Sequence, residues 1–139
     1  MYLLDTNTCI ALLRDRTPAS ARIVHRLVAH DVGEIAVSAL TVAELEYGVA
    51  RSREPVANRR RLAQFLLPLQ ILPFDSLAAF HYGIVRAELE LQGAGIGPID
   101  TLLAAHALSV RAVMVTGNVR EFRRVAELEV EDWGARARE

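Results

Sequence analysis

Six residues near the start, Tyr2-Leu3-Leu4-Asp5-Thr6-Asn7, constrain the fold of this chain more than any other stretch. Three apolar residues in a row suit a short strand covered on both faces, as in a buried parallel sheet. Asp5 then falls at the strand's carboxyl end. Thr6 or Asn7 can cap a helix over Thr8 to Leu13. In an open parallel sheet, ligands bind in the crevice outside the carboxyl ends of the strands. Asp5 therefore stands either where such a fold keeps its chemistry or, more simply, as a cap on the next helix.

The remaining chain keeps alternating between the two periodicities. Thr17-Pro18 pairs a capping residue with Pro at the first helical position and predicts a helix to about His30, with Ile23, Leu27 and Val28 on its apolar face. Gly33 breaks it. Ile35 to Val37 read as a second strand that Ser38 ends. Thr41-Val42-Ala43-Glu44 opens a third helix with Leu45 and Val49 inward. After a polar turn over Arg51 to Pro55, a fourth helix exposes Arg59 to Arg61, buries Leu62, Phe65 and Leu66, and stops at Pro68. Gln70 to Phe74 predict a strand that Pro73 confines to an end or an edge. Asp75 caps a long helix to about Leu91, and Gly93 to Gly97 form a loop. Pro98 starts a helix through Leu108, Ala112 to Thr116 form a buried strand, and Gly117-Asn118 turns into a short helix with Phe122. Leu128 to Val130 predict a last strand. Strands alternating with helices indicate an α/β fold with a mostly parallel sheet flanked by helices.

The 139 residues fit a single domain, 1–139, with a loose tail over about 134–139, and 52% hydrophobic content suffices for a sizeable core. No apolar run approaches the roughly 20 residues of a membrane span, and no signal peptide is visible, so the expected location is the cytoplasm. A single cysteine, Cys9, excludes an internal disulfide and multi-cysteine zinc sites. A net charge of −1 excludes a globally basic nucleic-acid binder. All 16 cationic side chains are arginines, whose planar fork suits phosphate.

Four polar residues share a property. Asp5 and Asn118 lie just past two strands; Glu44 and Asp100 lie in the first turns of two helices. In a parallel sheet these places share one edge. Carboxylates gathered there repel one another, and a divalent cation removes that cost. Magnesium prefers oxygen ligands and keeps most of its waters, so one or two direct carboxylates suffice. Such a cluster suggests metal-assisted phosphoryl chemistry, most simply hydrolysis. Each member also has a structural reading. Thr41-x-x-Glu44 matches a capping box, Asp100 favours a helix dipole, and Gly117-Asn118 is a common turn pair. Glu121 reads as a solvated residue with a lesser claim on the site.

The combined pattern resembles the PIN-domain ribonucleases, and closely the VapC toxins of toxin–antitoxin pairs. The matching residues are Leu3-Leu4-Asp5-Thr6-Asn7; Ser38 to Leu45 with Gly48; Gly97-Pro98-Ile99-Asp100 with Leu103 to Ala107; Val115 to Asn118 with Glu121-Phe122; and Glu131-Asp132-Trp133. They span nearly the whole chain. The resemblance implies that Asp5 and Asp100 are metal ligands and catalytic acids, and that Glu44 completes the site. Asn118 stands where the family often has Asp; an amide can hold a water but adds no charge. Thr6 and Thr116 would support the site by hydrogen bonding. The resemblance further implies RNA cleavage with Mg2+ or Mn2+, a homodimer, and inhibition by a small DNA-binding antitoxin that wraps the toxin and presents a basic residue to the acids.

Other chemistry finds little in the chain. Cys9 lies beside Ile10 and Leu13 and reads as core. His25, His30, His81 and His106 lack metal-ligand spacing, and the glycine loop lacks the G-K-[ST] ending of a phosphate loop. Arg120, Arg123 and Arg124 flank Asn118 and are candidate phosphate contacts; Arg59 to Arg61 read as a solvated face, and Arg136 and Arg138 fall in the tail. Among the apolar residues, Leu12, Ile23, Leu66 and Leu67 exceed what a small core needs and suggest a partner surface. Two functions of different class follow: a metal-dependent endoribonuclease toxin, or a catalytically weak nucleic-acid-binding module acting with a DNA-binding partner.

Overall fold

The computed structural model describes residues 1–14 and 16–136. Five strands, β1 (Tyr2–Leu4), β2 (Ile35–Ser38), β3 (Gln70–Leu72), β4 (Val113–Val115) and β5 (Val130–Glu131), form one sheet in the order β3-β2-β1-β4-β5. Every pairing is parallel. The helices are α1 (Thr6–Arg14), α2 (Pro18–Val28), α3 (Ala39–Ala50), α4 (Pro55–Leu66), α5 (Ser76–Leu91), α6 (Pro98–Ser109) and α7 (Val119–Phe122). The chain runs outward from β1 through β2 to β3, then returns to β4 on the other side of β1. The reversal between β1 and β4 is the topological switch point, where such sheets open a crevice at their carboxyl ends.

Register divides the core in two. Leu3 pairs with Ala36 and Met114, and their side chains join α5, α6 and α7 through Val85, Leu89, Leu103 and Phe122. Leu4 pairs with Val37 and Val115, and these face α1 to α4 through Cys9, Ile23, Leu45 and Leu62. Leu3 and Leu4 are both fully buried, each contributing about 1.5–3 kcal/mol of apolar transfer. The apolar triplet is thus a central strand wetted on neither face.

Several boundaries differ from the sequence expectation. The first helix starts at Thr6 rather than Thr8, because Asp5 itself caps it: the Thr8 N–H donates to Asp5 Oδ1 at 2.8 Å. The third helix starts at Ala39, since Ser38 Oγ accepts from the Leu40 N–H. Glu44 therefore lies in the second turn, and the Thr41–Glu44 capping box does not form. Strand β3 stops at Leu72, before Pro73, which lacks the N–H that pairing requires. It is an edge strand, as Pro73 suggested. The second helix ends at Val28, and Val32–Glu34 around Gly33 form a 3-10 turn. The last strand is Val130–Glu131, shifted past Leu128 by a backbone turn at Glu127 (φ 65°). Ile23 is core, whereas Leu67 is 86% exposed. At the carboxyl end, the Gly134 carbonyl accepts from Arg22 Nε at 2.8 Å. Residues 137–139, including Arg138 of the expected tail, lie outside the described residues.

Candidate active site

Asp5 is 3% exposed, and each of its carboxylate oxygens accepts one hydrogen bond. Its Oδ1 takes the Thr8 N–H, and its Oδ2 takes the Thr116 hydroxyl at 2.5 Å. The Thr116 oxygen in turn accepts from the Asn118 N–H at 2.9 Å. The backbone agrees, with the Asp5 N–H donating to the Val115 carbonyl at 3.0 Å. The cap and the candidate catalytic acid are thus one residue, because a carboxylate has enough lone pairs for both.

Glu44 is half-buried and held from α1. Thr6 Oγ1 donates to Glu44 Oε1 at 2.5 Å, with the buried Thr41 hydroxyl 3.3 Å from the same Thr6 oxygen. Asp100 enters from α6, whose start is set by Gly97 and Pro98. Asn118 Nδ2 donates to Asp100 Oδ2 at 3.3 Å and to Glu121 Oε2 at 2.9 Å. Asp5, Glu44 and Asp100 line one open groove of about 510 Å3 at the carboxyl edge of the sheet. Asn118 and Glu121 join through Asp100. The sequence named the four principal positions that meet; Glu121, expected to be solvated, is half-buried and bonded to Asn118. Its signal was local: on α7 it is three residues after Asn118, within reach of that amide.

Burial raises the Asp100 pKa above the ordinary carboxylate value. The charges of Asp5, Glu121 and Glu44 raise it further, while the Asn118 amide opposes them. The donors are hard oxygens, and a positive charge among them would relieve the repulsion. Among the described residues, no three His, Cys, Asp or Glu side chains stand together as a closed metal cage. The hard oxygens of Asp5, Glu44 and Asp100 along one groove are of the kind that suits a divalent cation.

Other groups fall away from the chemistry. Cys9 is fully buried, and desolvation followed by the charge of Asp5 pushes its thiol far above the usual range. A thiol so held supplies no thiolate nucleophile. His106 is 1% exposed and its Nδ1 lies 2.9 Å from Ser38 Oγ, outside the groove. His30 stacks on Trp133. Of the arginines flanking Asn118, Arg124 bonds the Gly95 carbonyl and anchors the glycine loop, while Arg120 and Arg123 are exposed. In the other basic run, Arg59 pairs with Glu46. The sequence missed Arg14, Tyr47 and Arg51, which line the groove beside the acids.

A family model described as PIN domain matches residues 2–128. The chain is 40% identical over 132 residues to the tRNA(fMet)-specific endonuclease VapC of Shigella flexneri, covering 95% of this chain and 97% of that protein. Among solved structures, DNA-bound VapBC from Salmonella typhimurium aligns with a TM-score of 0.88 at 37% identity, over 95% of this chain and 97% of its own. VapBC2 from Rickettsia felis, bound to a promoter DNA fragment, aligns with a TM-score of 0.85 at 36% identity, over 95% and 98%.

Proposed function

The chain belongs to the PIN-domain family, as an endoribonuclease toxin of the VapC type, and from that premise we propose how its acids cleave RNA. Asp5 and Asp100 would hold a divalent cation, Mg2+ by preference and Mn2+ as a substitute. Such an ion supplies charge to the scissile phosphate and lowers the pKa of water. Glu44 positions or deprotonates the attacking water, and the Thr6 hydroxyl fixes the carboxylate that does so. Asn118 orients Asp100 through its amide and would support a water at the cation. Thr116 and the Thr8 N–H hold Asp5 in a single rotamer. The observation that carries this reading is that Asp5, Glu44 and Asp100, from β1, α3 and α6, line one groove at the switch point.

The partners are a cognate DNA-binding antitoxin, as in the VapBC assemblies of the relatives, and a second copy of the chain. For the homodimer, the support is a row of exposed apolar residues on α5, Leu77, Phe80 and Ile84, at helical spacing. We place the protein in the cytoplasm as a single PIN domain; no described helix is long and apolar enough to cross a membrane.

Asp5→Asn tests the site. The amide oxygen keeps the helix cap, so circular dichroism stays unchanged, while RNA cleavage falls about a thousandfold or more. Cleavage equal to the parent protein would refute the site.

A further inference from the structure

The acid groove does not end at the acids. A second groove of about 450 Å3 shares Ile10, Arg14, Glu44, Gly48 and Arg51 with it, and extends to Asn58 and Arg61. One continuous channel therefore runs from Asp5 and Asp100, past Glu44, between the end of α1 and the facing ends of α3 and α4. Its charge changes sign along the way. Asp5 and Asp100 occupy one end, exposed Arg14 and Arg51 line both grooves together with Glu44, and exposed Arg61 lines the far end. None of these three arginines forms an ion pair with a described carboxylate, unlike Arg26, Arg59 and Arg86. Gly48 forms the floor beside Arg14, and a Cβ there would stand 3.6 Å from the guanidinium.

Tyr47 stands at the acidic end, 65% exposed, with the Arg51 guanidinium 5.3 Å from its ring centroid. An exposed aromatic backed by a guanidinium is a poor use of apolar surface in water but a good platform for an unstacked base. Phosphates spaced along a strand match a row of guanidinium forks, and single-stranded RNA presents phosphates and unstacked bases together.

We propose that this channel seats the single-stranded RNA flanking the scissile phosphate: one base stacks on Tyr47, and Arg14, Arg51 and Arg61 take successive phosphates. The inference rests on the ribonuclease reading and deepens it. Arginine, rather than a globally basic surface, supplies the affinity, which explains how a chain of net charge −1 can hold a polyanion. It also sets the strand's position relative to Glu44.

The test uses a labelled single-stranded oligoribonucleotide and the cleavage-deficient Asp5→Asn protein. Removing Arg14, Arg51 and Arg61 together with alanine weakens binding and flattens the log–log salt dependence by about 2, from about 0.7 per lost phosphate contact. Tyr47→Ala weakens binding about tenfold, and Tyr47→Phe, which keeps the ring face, restores it. In the cleaving protein, the arginine substitutions raise KM more than they lower kcat. Unchanged affinity and KM in these variants, with RNA still bound and cut by the parent, overturns the channel but leaves the ribonuclease reading standing. Failure of both the parent and the Asp5→Asn protein to bind or cut any RNA overturns both. Variants that keep RNA affinity yet escape inhibition by the antitoxin would assign the channel to the protein partner and overturn the proposal.

Discussion

On the face of the sheet covered by α5 and α6, the acid-bearing helix buries three alanines beside Leu103 and His106. Ala104, Ala105 and Ala107 are fully buried, so α6 lies close to its neighbours and carries Asp100 as part of a close-packed layer. On the face covered by α1 to α4, the core is made of larger chains such as Leu45, Leu62 and Trp133. There Glu44 is fixed by a hydroxyl from a different helix, Thr6. Asp100 is placed mainly by packing and Glu44 mainly by hydrogen bonding, with Asp5 between them held by both means. A packed helix can tolerate repulsion among its charges, because moving it costs the whole layer. A side chain held by one hydroxyl cannot.

That contrast is most sharply tested at Asp100. Asp100→Asn should lower cleavage about a thousandfold, the loss of several kcal/mol of transition-state stabilisation. Stability should move the other way. A carboxyl whose pKa is raised on folding stabilises the protein when protonated, below the ordinary carboxylate range, and that contribution is lost as the pH rises. At neutral pH the ionised Asp100 is therefore a liability, and the amide should raise Tm in the absence of divalent ions. Adding Mg2+ should raise the Tm of the parent protein but not of the variant. A parent Tm indifferent to Mg2+ would remove the cation from the account. Thr6→Val should have the next largest effect. It leaves α6 and the packing untouched but removes the Glu44 donor, and cleavage should fall about tenfold, with Thr6→Ser restoring it. A Thr6→Val protein as active as the parent would mean that Glu44 is placed by packing as well.

The same contrast separates what was legible in the sequence from what was not. Strand–helix alternation with Pro18, Asp75 and Pro98 at helix starts conveyed the α/β layering, because these signals are local. Asp5 and Asp100 were legible because a strand end and a proline-started helix both point to the carboxyl edge. Glu44 was found but misplaced by a turn, since Ser38 and Thr41 are both acceptable caps and only the tertiary fit chooses Ser38. Asp5 was framed as cap or catalytic acid, whereas the geometry lets one carboxylate cap α1 and still line the groove. Arg14 and Arg51 were invisible: they lie at the ends of α1 and α3, and nothing local brings those ends together. The family resemblance supplied the roles; spacing alone supplied only the positions.

One contact crosses between the two faces, and it sharpens the comparison with the smallest effect. His106 belongs to α6, and its Nδ1 meets Ser38 Oγ, the cap of α3. Ser38 accepts from the Leu40 N–H and can give its own proton to a neutral imidazole, with Phe74 edge-on to the ring. Protonating the ring would leave the Ser38 proton without an acceptor in a buried place. Burial lowers the His106 pKa, partly offset by Asp75 and by the Pro73 carbonyl. A lowered value means that the stability contribution is present above the usual histidine range and is lost as the pH falls through the folded-state value. Tm of the parent should therefore drop by a few degrees between about pH 8 and pH 5, and the drop should shrink in His106→Gln. His25, His30 and His81 remain in both proteins, so the difference isolates this ring. Cleavage by His106→Gln at neutral pH should fall only about threefold, as a positioning contact would allow. A variant with the parent's Tm profile would show that α6 and the α3 cap are held independently, each by its own face.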